Sequence, residues 1–169
     1  MKGHGQFCPV AKTAEIFAQR WTPLILRELC FGPQGFNDLR RAMPLVARSV
    51  LTQRLSELTF GGVIVADKKP GIRSQYRLTP AGEEFRPLIQ LMSKWGQTWG
   101  QGNISPTELD PALLVWGLQR QIDPSFVPAA VFVIQFEFSG LPKSKKDQRY
   151  WWLVFRKPHV EVCMKIQTT

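Results

Sequence analysis

Between Ala47 and Arg77 the hydrophobic period switches from helical to extended, and this switch restricts the fold more than any other feature of the chain. Leu51, Leu55 and Leu58 fall at i, i+4 and i+7, so a helix from about Ala47 to Thr59 buries a single stripe. Gly61-Gly62 ends that helix, and Val63-Ile64-Val65-Ala66 follows as a β-rich run. Asp67 to Ser74 is a turn around Pro70-Gly71, and Gln75-Tyr76-Arg77-Leu78 returns as the second strand of a hairpin. Thr79-Pro80-Ala81-Gly82-Glu83 then opens a long helix, with Thr79 as cap and Pro80 at the first position, where a missing N–H costs nothing.

Three shorter helices precede this unit. Pro9 to Arg20 places Val10, Ala14, Ile16 and Phe17 toward one side. Thr22-Pro23 reads as cap and first turn of a second helix, whose Leu24, Ile25, Leu26 and Leu29 make it central. Gly32-Pro33-Gln34-Gly35 stops it, and a third helix runs from a capping Asn37 to Met43, ended by Pro44.

Opposite the leucine stripe, Ser49, Thr52, Gln53 and Ser56 share a face, flanked by Arg48 and Arg54, with Glu57 the one carboxylate. Hydroxyls, an amide and guanidinium groups are the chemistry that reads base edges and grips phosphates. Taken alone, the pattern fits an ordinary amphipathic surface helix equally well. Its setting adds weight. From Phe36 to Arg77 the chain carries eight Lys/Arg against three Asp/Glu, and Lys68, Lys69 and Arg73 stand at the hairpin tip. Short helices, a recognition-type helix, a basic hairpin and a long helix, in that order, make a winged helix-turn-helix. Arg40, Arg41 and Arg54 are the candidates for phosphates, and the hairpin cations for the backbone or minor groove.

Charge over the whole chain points the same way. The net charge is +9, with 14 Lys/Arg against 7 Asp/Glu in residues 1–104 and 8 against 6 in residues 105–169. A basic unit attracts polyanions, nucleic acid or an acidic membrane surface. No stretch approaches the roughly 18 apolar residues of a membrane span, and the N-terminus lacks a signal peptide's apolar core, so a cytoplasmic protein is expected. The three cysteines, Cys8, Cys30 and Cys163, form no CxxC pair and suit a reducing compartment.

The chain resembles the HxlR-type winged helix-turn-helix regulators. The resemblance rests on Cys8-Pro9-Val10, on Arg20-Trp21-Thr22-Pro23-Leu24-Ile25-Leu26-Arg27-Glu28-Leu29, and on Phe36-Asn37-Asp38-Leu39-Arg40. It continues through Leu51-Thr52-Gln53-Arg54-Leu55-Ser56-Glu57-Leu58 and Tyr76-Arg77-Leu78-Thr79-Pro80-Ala81-Gly82. It implies a homodimer on double-stranded operator DNA, with recognition helices in successive major grooves and dimerisation through the first helix and the long one. Where that family usually places Ser at the recognition-helix cap, Ala47 stands here, a loss of ~1 kcal/mol of capping. Ser49 could cap a later start, which would withdraw it from the base-reading set.

On the long helix Phe85, Leu88, Ile89, Met92, Trp95 and Trp99 recur at three- and four-residue spacing. So many large side chains exceed what a hundred-residue domain can absorb, and Phe85, Leu88, Met92, Trp95 and Trp99 are expected at a dimer interface. Cys8, before the first helix and near Lys2 and Lys12, is a candidate redox or electrophile sensor, a role the resemblance implies for some members. A small apolar residue packed against the dimer partner is the alternative.

Gly100-Gln101-Gly102-Asn103 reads as a linker. Beyond it come a helix capped by Asp110, alternation over Val131 to Phe138, a basic loop from Pro142 to Arg149, and strands from Tyr150 to Phe155 and Val160 to Ile166. One helix and a three-stranded antiparallel meander make a small α+β segment, residues 105–169. It resembles the first half of a sterol-carrier-protein-like domain. The chain ends at Gln167-Thr168-Thr169, before the further strands and helices that would close an apolar cavity, so the segment is expected to be incomplete. An outer strand at Val160 to Ile166 should leave an unpaired apolar edge.

His4 and His159 have no sequence partners suggesting a triad or metal site, and Gly3-His4-Gly5 lacks the setting of a phosphate loop. Neither an enzyme, a metal nor a cofactor is expected. The fold class is therefore α+β: a mainly α winged helix-turn-helix with a β-hairpin wing over residues 1–104, then the smaller segment. Two rivals remain open, a small-molecule or lipid-binding module acting through the C-terminal segment and a protein–protein adaptor. A small-molecule effector is compatible with the regulator reading.

Overall fold

The structure, a computed structural model, describes residues 3–67, 74–100 and 110–164. The chain divides into two compact units, residues 1–99 and 100–169.

The first unit opens with α1 (Pro9–Phe17) and α2 (Thr22–Leu29). The first helix is shorter than its apolar spacing suggests. The chain reverses at once, with Thr22 N donating to Gln19 O at 3.0 Å and Trp21 in the left-handed region at φ 77°. Thr22 is consequently the first helical residue, fully buried, rather than the cap its side chain suggested. A two-residue strand β1 (Gln34–Gly35) and α3 (Phe36–Ala42) follow. Asn37 does not cap α3: the cap is Gly35, whose N–H donates to the carboxylate of Asp38 at 3.3 Å.

Met43 to Ala47 form the turn into α4 (Arg48–Phe60), with Met43 and Val46 buried and Val46 N bonded to Met43 O. Leu51, Leu55 and Leu58 are the stripe by which α4 meets Ile25, Leu26, Leu29 and Leu39 in the core. The wing is β2 (Ile64–Asp67) against β3 (Gln75–Leu78), pairing Ile64 with Leu78 and Asp67 with Gln75. β1 adds to the other side of β3, Gln34 facing Tyr76, so the hairpin is part of a three-stranded sheet ordered β1-β3-β2. A two-residue strand has no period to read, and Gln34-Gly35 had registered only as a helix stop.

The expected long helix after the wing is two helices, α5 (Pro80–Glu83) and α6 (Arg86–Trp99). Thr79 caps α5 as its position promised, its hydroxyl accepting from Gly82 N at 3.1 Å. The break follows from Pro87, which has no N–H for the carbonyl of Glu83 and whose ring would clash with it. Phe85 and Ile89, at the start of α6, pack on the core, and Phe85 stacks on Phe17 with centroids 5.3 Å apart.

The second unit holds α7 (Pro111–Gln121), capped by Asp110 accepting from Ala112 N at 3.0 Å, and the meander β4 (Phe132–Glu137), β5 (Tyr150–Arg156) and β6 (His159–Cys163). Short 3-10 turns occupy Pro124–Phe126 and Lys143–Gln148. Val115 of α7 packs with Val127, Trp151, Leu153 and Phe155, and Val160 and Val162 of β6 lie against the same cluster. Both β4 and β6 are edge strands, as expected for the last strand, and β4 also carries exposed apolar side chains, Val133 and Ile134 being 47% and 40% exposed. α7 packs against β5 and β6, which partly buries Val160 and Val162.

Candidate nucleic-acid interface

α4 enters its helical conformation from Ala47, whose extended backbone (φ −65°, ψ 141°) offers no side-chain cap. Arg48 is the first helical residue. The later start with Ser49 as cap does not occur, and Ser49 lies inside the helix with its side chain exposed. The guanidinium of Arg48 sits over the Phe36 ring, 5.3 Å from its centroid, which ties the start of α4 to α3. Thr52, Gln53 and Ser56 are exposed on the same side, away from the buried leucines. Thr52 turns its hydroxyl back to Arg48 O at 2.9 Å. The four polar side chains read from the sequence thus share one open face of a helix anchored by its opposite face.

Two of the cations expected on phosphates stand exposed on α3. No ion pair or side-chain hydrogen bond of Arg40 is seen among the described residues, and Arg41 pairs with Asp38 at 3.3 Å. Arg54 is placed differently. It is 18% exposed; its Nη1 is hydrogen-bonded to Glu57, and its Nε donates to the carbonyl oxygen of Arg20 at 3.2 Å. Glu57 also accepts from Gln53 Nε2 at 2.9 Å. Burial alone would raise the pKa of Glu57, but the hydrogen bonds from Arg54 and Gln53 and the Arg54 charge outweigh it, and the carboxyl is held below the usual range. Glu57 had registered only as the lone acid on the helix. Its i−3 and i−4 spacing to Arg54 and Gln53 was the available signal.

Lys68, Lys69 and Arg73 at the wing tip lie outside the described residues. Along the wing, Arg77 Nε pairs with Asp67 at 2.8 Å across the strands, as a diagonal neighbour.

Cys8 is the residue before α1, half-buried, with Pro9 beginning the helix. Lys12, expected to act on that thiol, is held instead by Glu15 at 3.1 Å. Of the residues expected at a dimer interface, Phe85 is spent on the core and Leu88 is half-buried. Met92, Trp95 and Trp99 are open, the tryptophans 65% and 72% exposed. No helix among the described residues is long and apolar enough to cross a membrane, and no cluster among them could hold a metal ion.

A buried-stripe helix presented after a tight turn, backed by a three-stranded wing, defines the winged helix-turn-helix class. The HxlR-like helix-turn-helix family matches residues 16–103, and the chain belongs to that family. It is similar to YvaP of Bacillus subtilis (strain 168), named as an HTH-type transcriptional regulator, at 35% identity over 108 residues, 62% of this chain and 96% of YvaP. A Synechocystis sp. (strain ATCC 27184 / PCC 6803 / Kazusa) protein named in the same way, sll1512, is 35% identical over 97 residues, 56% of this chain and 72% of the relative. Among solved structures, a protein from Porphyromonas gingivalis W83 described as a MarR-family candidate regulator superposes with a TM-score of 0.53 at 33% identity. That match covers 57% of this chain and 97% of the other. The redox regulator HypR in its reduced form superposes with a TM-score of 0.51 at 26% identity, covering 54% and 92%. Each of these four matches leaves more than a third of this chain unmatched.

Proposed function

We propose that the chain is a sequence-specific DNA-binding transcriptional regulator, acting in the cytoplasm as a homodimer. The observation that carries this reading is the open face of α4, where Ser49, Thr52, Gln53 and Ser56 stand opposite three buried leucines. In this reading those four residues and Arg48 address base edges in the major groove of operator DNA. Arg40 and Arg41 meet phosphates, and Lys68, Lys69 and Arg73 on the wing meet the backbone or minor groove. The names of the relatives support a regulator, and that of HypR supports a response to redox change, for which Cys8 is the candidate residue here. The second unit has its own helix-on-sheet core, which supports a separate module, and its partial resemblance to a sterol-carrier-protein-like domain makes a small-molecule effector there the second reading.

The test is a gel shift on the upstream region of the chain's own gene, repeated across salt concentrations. If the dimer makes six to ten phosphate contacts, affinity should fall by about 10³–10⁵ between 50 and 200 mM salt. No retardation, or a flat salt response, would sink the reading.

A further inference from the structure

We propose that Glu57 sets base specificity on α4 by fixing the orientation of the Gln53 amide, and that Arg54 is the strut that holds Glu57 rather than a phosphate ligand. The inference rests on reading α4 as the helix that enters the major groove. Three hydrogen bonds link the parts. Gln53 Nε2 donates to one oxygen of Glu57 at 2.9 Å, Arg54 Nη1 to the other, and Arg54 Nε to the Arg20 carbonyl at 3.2 Å.

An ionised carboxylate only accepts hydrogen bonds, so it dictates which end of a neighbouring amide faces it. The nitrogen of Gln53 must turn toward Glu57. Its carbonyl oxygen and its second N–H then point outward as one acceptor and one donor. That pair matches the exocyclic amine and ring N7 of adenine, which take both contacts at once in the major groove. A glutamine without this neighbour samples both amide orientations and loses rotamer freedom on binding. Glu57 removes the choice before DNA arrives, and its carboxyl, held below the usual range, keeps its charge at neutral pH.

Arg54 fits the strut role on three counts. Its side chain is mostly covered, its charge is matched by Glu57, and its Nε is spent on a backbone carbonyl 34 residues away. That carbonyl belongs to Arg20, immediately before the left-handed Trp21 at the α1–α2 corner, and the Arg20 guanidinium lies over the Trp21 ring. The base-reading amide is thereby referenced to the body of the domain.

The experiment uses the full chain. Wild-type protein selects its operator from a randomised duplex library, and affinity is then measured for all four base pairs at every half-site position, at several salt concentrations. Glu57→Gln should lower discrimination at one position per half-site by about 5- to 150-fold, the equivalent of one bidentate contact. The salt slope and thermal midpoint should stay near wild type. The substituted amide is neutral and can present either end to Gln53, so the orientation is no longer dictated. Gln53→Ala should lose the same preference, and adding Glu57→Gln to it should change nothing further. Glu57→Asp, which keeps the charge but withdraws it, should lose part of the preference and serves if the glutamine variant folds poorly. Arg54→Gln should affect that same position with an unchanged salt slope.

Full base preference at every position in Glu57→Gln overturns the proposal. So does an Arg54→Gln variant whose salt slope falls by about one with its base preference intact, the signature of a lost phosphate contact. If wild type selects no sequence, the DNA-binding reading itself fails, and this one with it.

Discussion

Gly82 lies in the first turn after the wing, and a Cβ built there would stand 2.1 Å from the carbonyl oxygen of Val63. That oxygen cannot retreat freely, because it accepts from Thr79 N at 3.0 Å where the end of α4 and the wing are tied together. Gly82→Ala should therefore destabilise the fold by roughly 3 kcal/mol, the upper part of the range for overpacking, read as a lower urea or thermal midpoint. An unchanged midpoint would mean the two segments can separate without penalty. Cysteine chemistry divides at the same scale. Burial pushes the Cys30 thiol up, which disfavours its thiolate, and Cys8, the residue before α1, is the candidate sensor by its position. Oxidants or quinones should alter operator affinity in wild type, and Cys8→Ser should abolish that response while leaving reduced-state binding near normal. A persisting response in the variant would move the sensor elsewhere or remove it.

The helices that bury a stripe were readable because their period is long and regular, and α4 shows Leu51, Leu55 and Leu58 where spacing placed them. The caps at Thr79 and Asp110 were readable for the same local reason. Tertiary geometry overrode local chemistry at Thr22, which the left-handed Trp21 draws into the helix, and at Asn37, which yields the cap to Gly35 and Asp38. Pro87 is a local signal for the break between α5 and α6, because it cannot donate to the carbonyl of Glu83. The polar face of α4 was legible, but the fate of Arg54 was not, because its second partner lies 34 residues earlier. The meander's three strands are legible in order, yet which face of it is covered depends on where α7 lands, and that is not a local property. On the edge strand β4, Val133→Lys should reduce self-association at high concentration by placing charge on an unpaired strand. Its effect on stability should be small, about 0.5 kcal/mol or less, since the side chain is half in solvent. Light scattering and thermal unfolding on one sample would check both, and unchanged scattering would clear β4 as a sticky edge.

A winged helix-turn-helix unit of this size presents one α4 to the major groove, and a paired site spaced by one helical turn, about 34 Å, needs two. The surface available for pairing is the open side of α6. Leu91, Met92, Trp95 and Trp99 are all exposed there, while Phe85, just before the helix, and Ile89 on it pack against the core. The helix is thus divided along its length, anchored at its start and apolar but unpartnered toward its end. Phe7 and Val10, just before and within α1, are also bare, so both elements expected to pair offer apolar surface. Two tryptophans this exposed favour burial, because aromatic side chains supply large apolar area at low entropy cost and concentrate in interface cores. Replacing Trp95 and Trp99 together by Glu should convert a dimer to a monomer in analytical ultracentrifugation, with the helical circular dichroism signal unchanged. Binding to a two-half-site operator should then fall by about 10²-fold or more, since the second half-site no longer gains from the first. Binding to an isolated half-site should stay the same. A variant that remains dimeric and binds the full operator normally would take the interface away from α6.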